Sequence, residues 1–318
     1  MKKVIVILIV LVGICFAAYY GYVNYLQTTI VTCEDGFRFN PAQGECVSVE
    51  FSSGDSRRNV DFSKLILRIP SGTAQVSLTQ DEQGMYTGTY SDSETPSLKG
   101  FVSIDPKEVK IGENNIAIVP FYLNSGGTGQ FIYVALVTVD SNKHIDSVFV
   151  GDRTKVKEVE FKNNIVLIDY MTRSASQSFS ENPKIPAQLV LSIESDSFVE
   201  LMRLENATYD DIELRSPKGE STLIGDFLIK GAIPGFWYFE AVAGYRIMDS
   251  SLNVIAMGPV QALSDWMTER KVPFEIKLNT GSFGYKGNAT IIIESENVQG
   301  GEEGEILVKR MSIPVVIK

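Results

Sequence analysis

The chain has 318 residues, long enough for two ordinary domains, and its 44% hydrophobic and 10% aromatic content supports packed cores and excludes a disordered polymer. A formal net charge of −10 and a sequence pI near 4.8, with no basic stripe anywhere, argue against nucleic-acid binding. Such binding needs clustered Lys and Arg to displace phosphate counterions.

The first predicted element is a membrane anchor at residues 1–27. Lys2 and Lys3 precede a run from Val4 to Val23 that carries no charge. As a helix that run spans about 30 Å, the thickness of a bilayer's hydrocarbon core. Tyr19, Tyr20, Tyr22 and Tyr25 cluster at its far end, where amphipathic rings favour the interface, and the leading lysines favour a cytoplasmic N-terminus. A signal segment cleaved near Cys15-Phe16-Ala17 and lipidation at Cys15 are the alternatives, Ile14 being a poor fit to the latter. All three put the body outside the cytoplasm: single-pass in the plasma membrane, or secreted after cleavage.

Residues 28–59 read as a disulfide loop and linker. Cys33 and Cys46 enclose CEDGFRFNPAQGEC, which has too little apolar content to fold alone; a disulfide in an oxidising compartment would close it. A metal site at these cysteines lacks further ligands, since the single histidine, His144, is far along the chain. No cofactor is expected.

Residues 60–200 are predicted as a β-rich domain of unknown type. Short strand-like runs cover Leu65 to Ile69, Ala74 to Leu78 and Met85 to Tyr90, bounded by Gly, Pro, Asp and Ser. Asn115 to Leu123 and Phe131 to Val139 are continuously apolar, as suits strands covered on both faces. SGGTG between them is a hairpin loop and not a phosphate cradle, because no Gly-Lys-Ser/Thr follows. DSNKHIDS, around His144, has the composition of an exposed turn. It offers a triad of His144, Asp140 or Asp146, and Ser141 or Ser147 only in the absence of any nucleophile motif. Further strands are predicted at Lys155 to Phe161, Ile165 to Tyr170 and Gln188 to Ile193, and a change near Ser195 to Asn206, with room for a short helical turn, separates the last domain.

Residues 204–318 alternate clearly. In WYFEAVAGYRI, Trp237, Phe239, Ala241, Ala243, Tyr245 and Ile247 share one face of a predicted strand. After a turn, Leu252 to Val260 form the next inward row, and Val272, Phe274, Ile276 and Leu278 a third. Asp265-Trp266-Met267-Thr268 interrupts the pattern. Pro314 cannot donate to a ladder, so the last strand is expected at an edge or bulged.

Ser216-Pro217, the Gly231 to Phe239 block, Asp249, Gly258, Gln261-Ala262, Asp265 to Thr268 and Val272-Pro273-Phe274 carry a family pattern. The stretch resembles the immunoglobulin-like domain associated with bacterial spore germination proteins. Ser251 and Leu252 stand where that family usually has a glycine. The resemblance implies an Ig-like sandwich in a cell-envelope protein and no catalytic residue.

The expected fold is therefore mainly β: a transmembrane helix, a β-rich middle domain and a C-terminal Ig-like β-sandwich. The expected function is non-enzymatic binding of a partner protein or cell-wall polymer. A wall hydrolase using carboxylates such as Asp265, Glu269 and Glu275, or a structural spacer, are the alternatives. Two readings of the Asp265 to Thr268 interruption stand side by side. In one it is a structural corner; in the other Trp237, Tyr238, Asp265 and Trp266 form a stacking platform for a sugar or peptide.

Overall fold

The computed structural model describes residues 59–318 apart from 71–72, 92–98, 113–114, 163–164, 175–176 and 296–307, together with two strands ahead of them. The run Val4–Val23 and Cys33 lie outside the described residues. No helix among those described is long and apolar enough to cross a membrane. The two early strands, β1 (Phe37–Asn40) and β2 (Glu45–Ser48), pair antiparallel with Phe39 opposite Cys46.

From residue 59 onward the chain is mainly strand, with almost no helix, and forms one compact unit. It begins with β3 (Ile66–Arg68), β4 (Gln75–Ser77), β5 (Thr79–Gln80), β6 (Tyr86–Ser91), β7 (Lys99–Ile104) and β8 (Lys110–Ile111). Then come β9 (Ile116–Asn124), β10 (Phe131–Thr138) and β11 (Lys143–Asp152). These nine make the first large sheet, in the order β4-β3-β11-β10-β9-β7-β6-β5, with β8 also pairing β9.

A second stretch supplies β12 (Lys155–Lys162), β13 (Ile165–Thr172), β14 (Ile185–Glu194), β15 (Ser197–Glu205), β16 (Glu213–Ser216) and β17 (Ser221–Leu223). It continues with β18 (Asp226–Pro234), β19 (Val242–Asp249), β20 (Val254–Gln261), β21 (Lys271–Asn279), β22 (Gly287–Glu294) and β23 (Arg310–Ile317). The second large sheet runs β12-β13-β14-β15-β23-β22-β19-β20, with β17 pairing β23. A small third sheet runs β16-β18-β21.

Three cores explain the hydrophobic patterns. In the first sheet Ala117, Val119 and Phe121 of β9 and Ala135 and Val137 of β10 join Leu67, Val76 and Val102, so the sheet curls over its own inner face. Its other face, through Ile118, Ile132, Val134 and Leu136, packs on Val166, Ile168, Leu189 and Leu191 of the second sheet. That two-sided burial is why β9 and β10 read as unbroken apolar runs. The third core lies on the opposite face of the second sheet, where Leu167, Val190, Met202, Ile291 and Ile313 meet Ile229, Ile233, Val272 and Phe274 of the small sheet. Each fully buried Ile or Leu here contributes roughly 1.5–3 kcal/mol.

Several expectations meet a different structure. The break placed between residues 200 and 204 falls inside β15, and β15 pairs β23 from Arg203↔Ser312 to Glu205↔Arg310. Hydrogen bonding thus passes without interruption from the middle of the chain to its last strand. The short helical turn is confined to a 3-10 turn at Tyr209–Asp211. Pro314 is not at an edge. β23 is flanked by β22 on one side; on the other, β15 ends at Ser312 and β17 begins at Val315. Pro314 occupies that seam, where a missing N–H leaves no partner stranded, and its carbonyl accepts from Glu220 N at 2.6 Å.

WYFEAVAGYRI is also not one strand. Gly235–Trp237 form a 3-10 turn, and Phe239 and Val242 close a tight two-residue turn through Glu240 and Ala241, at φ +51° and +65°. Both central residues are left-handed, the geometry of a type I′ turn usually made by Asn-Gly.

Candidate functional site

The four residues of the expected platform do not form a surface together. Trp237 and Tyr238 are both at 0% exposure, packed in the third core. Tyr238 donates its hydroxyl to the Val272 carbonyl at 3.2 Å, and burial pushes that hydroxyl's pKa up. Their rings have no face to offer a ligand. Asp265 is exposed, and its Oδ1 accepts from Met267 N at 3.0 Å; Trp266 packs partly against the core.

What Asp265 to Thr268 builds is a corner. Thr268 N donates to Trp266 O at 2.8 Å, Arg270 N to Thr268 Oγ1 at 3.2 Å, and Gly235 N to Arg270 O at 3.0 Å. A Cβ at Gly235 would lie 2.1 Å from Thr268 O and 2.2 Å from Trp266 O. Only glycine lets the corner seat on the preceding turn. The consequence is positional: the corner sets where β21 starts, and Lys271 is its first residue.

His144 is likewise not in an exposed turn. It lies in β11 at 5% exposure. Its Nδ1 accepts from Arg68 N at 2.8 Å, and its Nε2 donates to Asp146 O at 2.9 Å, which fixes the neutral tautomer. Burial pulls its pKa down, consistent with a structural neutral ring. Asp146 is spent on Ser147 N and Phe198 N, so no triad assembles. Among the described residues no group of three His, Cys, Asp or Glu side chains could hold a metal. Cys46 lies in β2; its expected partner is outside the described residues.

The site that sequence reasoning missed is a cleft of about 470 Å³ on the face shared by the second and third sheets. The small sheet covers Leu167 and Val190 but stops at β16, leaving Ile165 and Ser192 as open floor beside Leu201 and Met202. One wall is the turn at Tyr209–Asp211. Tyr209 N donates to Gln188 Oε1 and Gln188 Nε2 donates to Asp169 Oδ1, each at 2.7 Å, pinning the turn to β14. Asp210 adds an ion pair with Lys162 of β12.

The opposite wall is the loop at Lys218–Gly219, after a cis Ser216–Pro217 peptide. A Cβ at Gly219 would lie 2.0 Å from Glu200 O, so glycine is what lets this loop approach β15. At the mouth, Lys271 reaches across to Ile212 O at 3.4 Å. The Arg215 guanidinium hydrogen-bonded to Glu213, with Lys271 nearby, holds that carboxyl below its ordinary range.

Among the described residues three charges of the cleft, Glu194, Lys218 and Lys271, have no ion pair, and Lys271 is held by the Ile212 carbonyl. Ser192, 8% exposed, donates its hydroxyl to Glu194 Oε1 at 3.2 Å and so orients that carboxylate. Among the described residues neither Glu194 nor Lys218 belongs to an ion pair within 4.0 Å. No signal for this cleft was available in the sequence, because its parts are separated by more than a hundred residues and joined only by sheet packing.

No family model, curated protein or solved structure matches this sequence.

Proposed function

We propose that this chain is a membrane-anchored, extracytoplasmic protein of the cell envelope that binds a partner protein or cell-wall polymer through β-sandwich domains. The observation that carries the reading is the charge-free run Val4–Val23 behind two lysines, placed ahead of a body that is mainly strand. The immunoglobulin-like assignment of the C-terminal part is supported by two sheets packed face to face and by a corner that passes the chain from β20 to β21. The Cys33–Cys46 disulfide belongs to the same proposal and suits an oxidising compartment.

Localisation and binding are tested separately. The full chain should fractionate with membranes, and protease added outside intact cells should digest its body. Recovery in the soluble cytoplasmic fraction overturns the anchor. The detergent-solubilised full chain should co-sediment with purified cell-wall sacculi if the polymer is the ligand. Failure to sediment removes the polymer and leaves a protein partner.

A further inference from the structure

From the cleft beside β16 we infer a binding site for a short peptide with a free ammonium and a free carboxylate. The inference names the ligand class of the binding module proposed above and rests on that reading. The observations are geometric. The cleft, about 470 Å³, falls in the range of small-molecule sites, too small for a folded partner and ample for a short peptide. Its floor of Ile165, Leu201 and Met202 is apolar, while Glu194 stands on the β14 side and Lys218 on the facing loop.

Opposite charges that share a cleft normally pair when their side chains can meet. Here they do not, although Asp210 takes Lys162 and Glu213 takes Arg215, and Lys271, without an ion pair among the described residues, donates to the Ile212 carbonyl. Glu194, itself exposed, is moreover oriented by the buried Ser192 hydroxyl. A ligand with an ammonium at Glu194, a carboxylate at Lys218 and an apolar body on Leu201 and Met202 completes both charges at once. Charge-assisted hydrogen bonds of this kind are roughly twice as strong as neutral ones and set the ligand's orientation. A purely anionic ligand would meet Lys218 and Lys271 but face the unpaired Glu194, and a purely cationic one would leave Lys218 unused.

The probe is L-alanyl-L-leucine, titrated calorimetrically into the full chain in detergent, alongside N-acetyl-alanyl-leucine amide, which keeps the body and removes both charges. Saturable binding of the free dipeptide, weakened at least about tenfold by capping and by Glu194→Gln or Lys218→Gln, is the expected result. Equal binding of the capped peptide, unchanged affinity in both variants, or no saturable binding of the free dipeptide overturns the site. The capped peptide needs no variant, so misfolding cannot shield the inference. Loss of dipeptide binding with sacculus sedimentation intact rejects the cleft and keeps the envelope reading; the converse rejects the wall polymer alone.

Discussion

His144 spends both ring nitrogens on backbone groups of different strands, holding β3 onto β11 just where their parallel pairing stops at Ile66↔Lys143. Replacing it by Leu strands the Arg68 N–H and the Asp146 carbonyl, at a cost of about 2 kcal/mol. The pH dependence follows from the lowered pKa. The unfolded chain titrates near the ordinary value of 6.5 and the folded chain lower, so between those values the unfolded state binds more protons. The stability tied to the neutral ring is complete above pH 6.5 and is lost as pH falls below it toward the folded value. Thermal melts at pH 7.5 and 5.5 should therefore differ more for the parent chain than for His144→Leu. Equal differences would remove the titrating role. The residue's flanking Asp, Ser and Asn argue for a turn by composition, and only its strand partners make it buried.

The corner at Asp265 to Thr268 shows where element-level reading succeeds and where it stops. An Asp ahead of an aromatic at an interrupted strand signals a capped turn, and the Asp265–Met267 hydrogen bond has that form. The alternation of Val272, Phe274 and Ile276 also corresponds to a strand face turned to the core. Glu240-Ala241, by contrast, carries no turn signal, so WYFEAVAGYRI reads as one strand although the chain reverses in its middle. The missing information is tertiary: Trp237 and Tyr238 are held in the core, and the chain must double back after them. Because the corner rests on Gly235, Gly235→Ala should destabilise the unit by at least about 2 kcal/mol, whereas Asp265→Ala should cost about 1 kcal/mol. Chemical denaturation would read both, and a harmless Gly235→Ala would contradict the close approach.

At the scale of the molecule, strand runs and the mainly β class were legible, but that a strand crosses residues 200–204 was not, since long-range pairing is decided by packing. β14 shows why: Leu189 and Leu191 face one core and Val190 another, so one strand serves both. Two cores that share a sheet cannot melt independently at little cost. Residues 59–318 should unfold in a single calorimetric transition. A fragment of residues 204–318, stripped of most of β15 and of Met202, should lack a cooperative transition of its own. Two separated transitions in the parent chain, or a stable isolated fragment, would refute the shared-sheet account.

The central place of β23 bears on how the polypeptide is manufactured. Glu205 waits for Arg310 across 105 residues of sequence. At ordinary translation speeds of about 5–20 residues per second, that delay is roughly 5–20 seconds. Until then the second large sheet lacks its central strand β23. Under the extracytoplasmic placement proposed above, late closure is an asset, since a body sealed early would resist threading through a translocation channel.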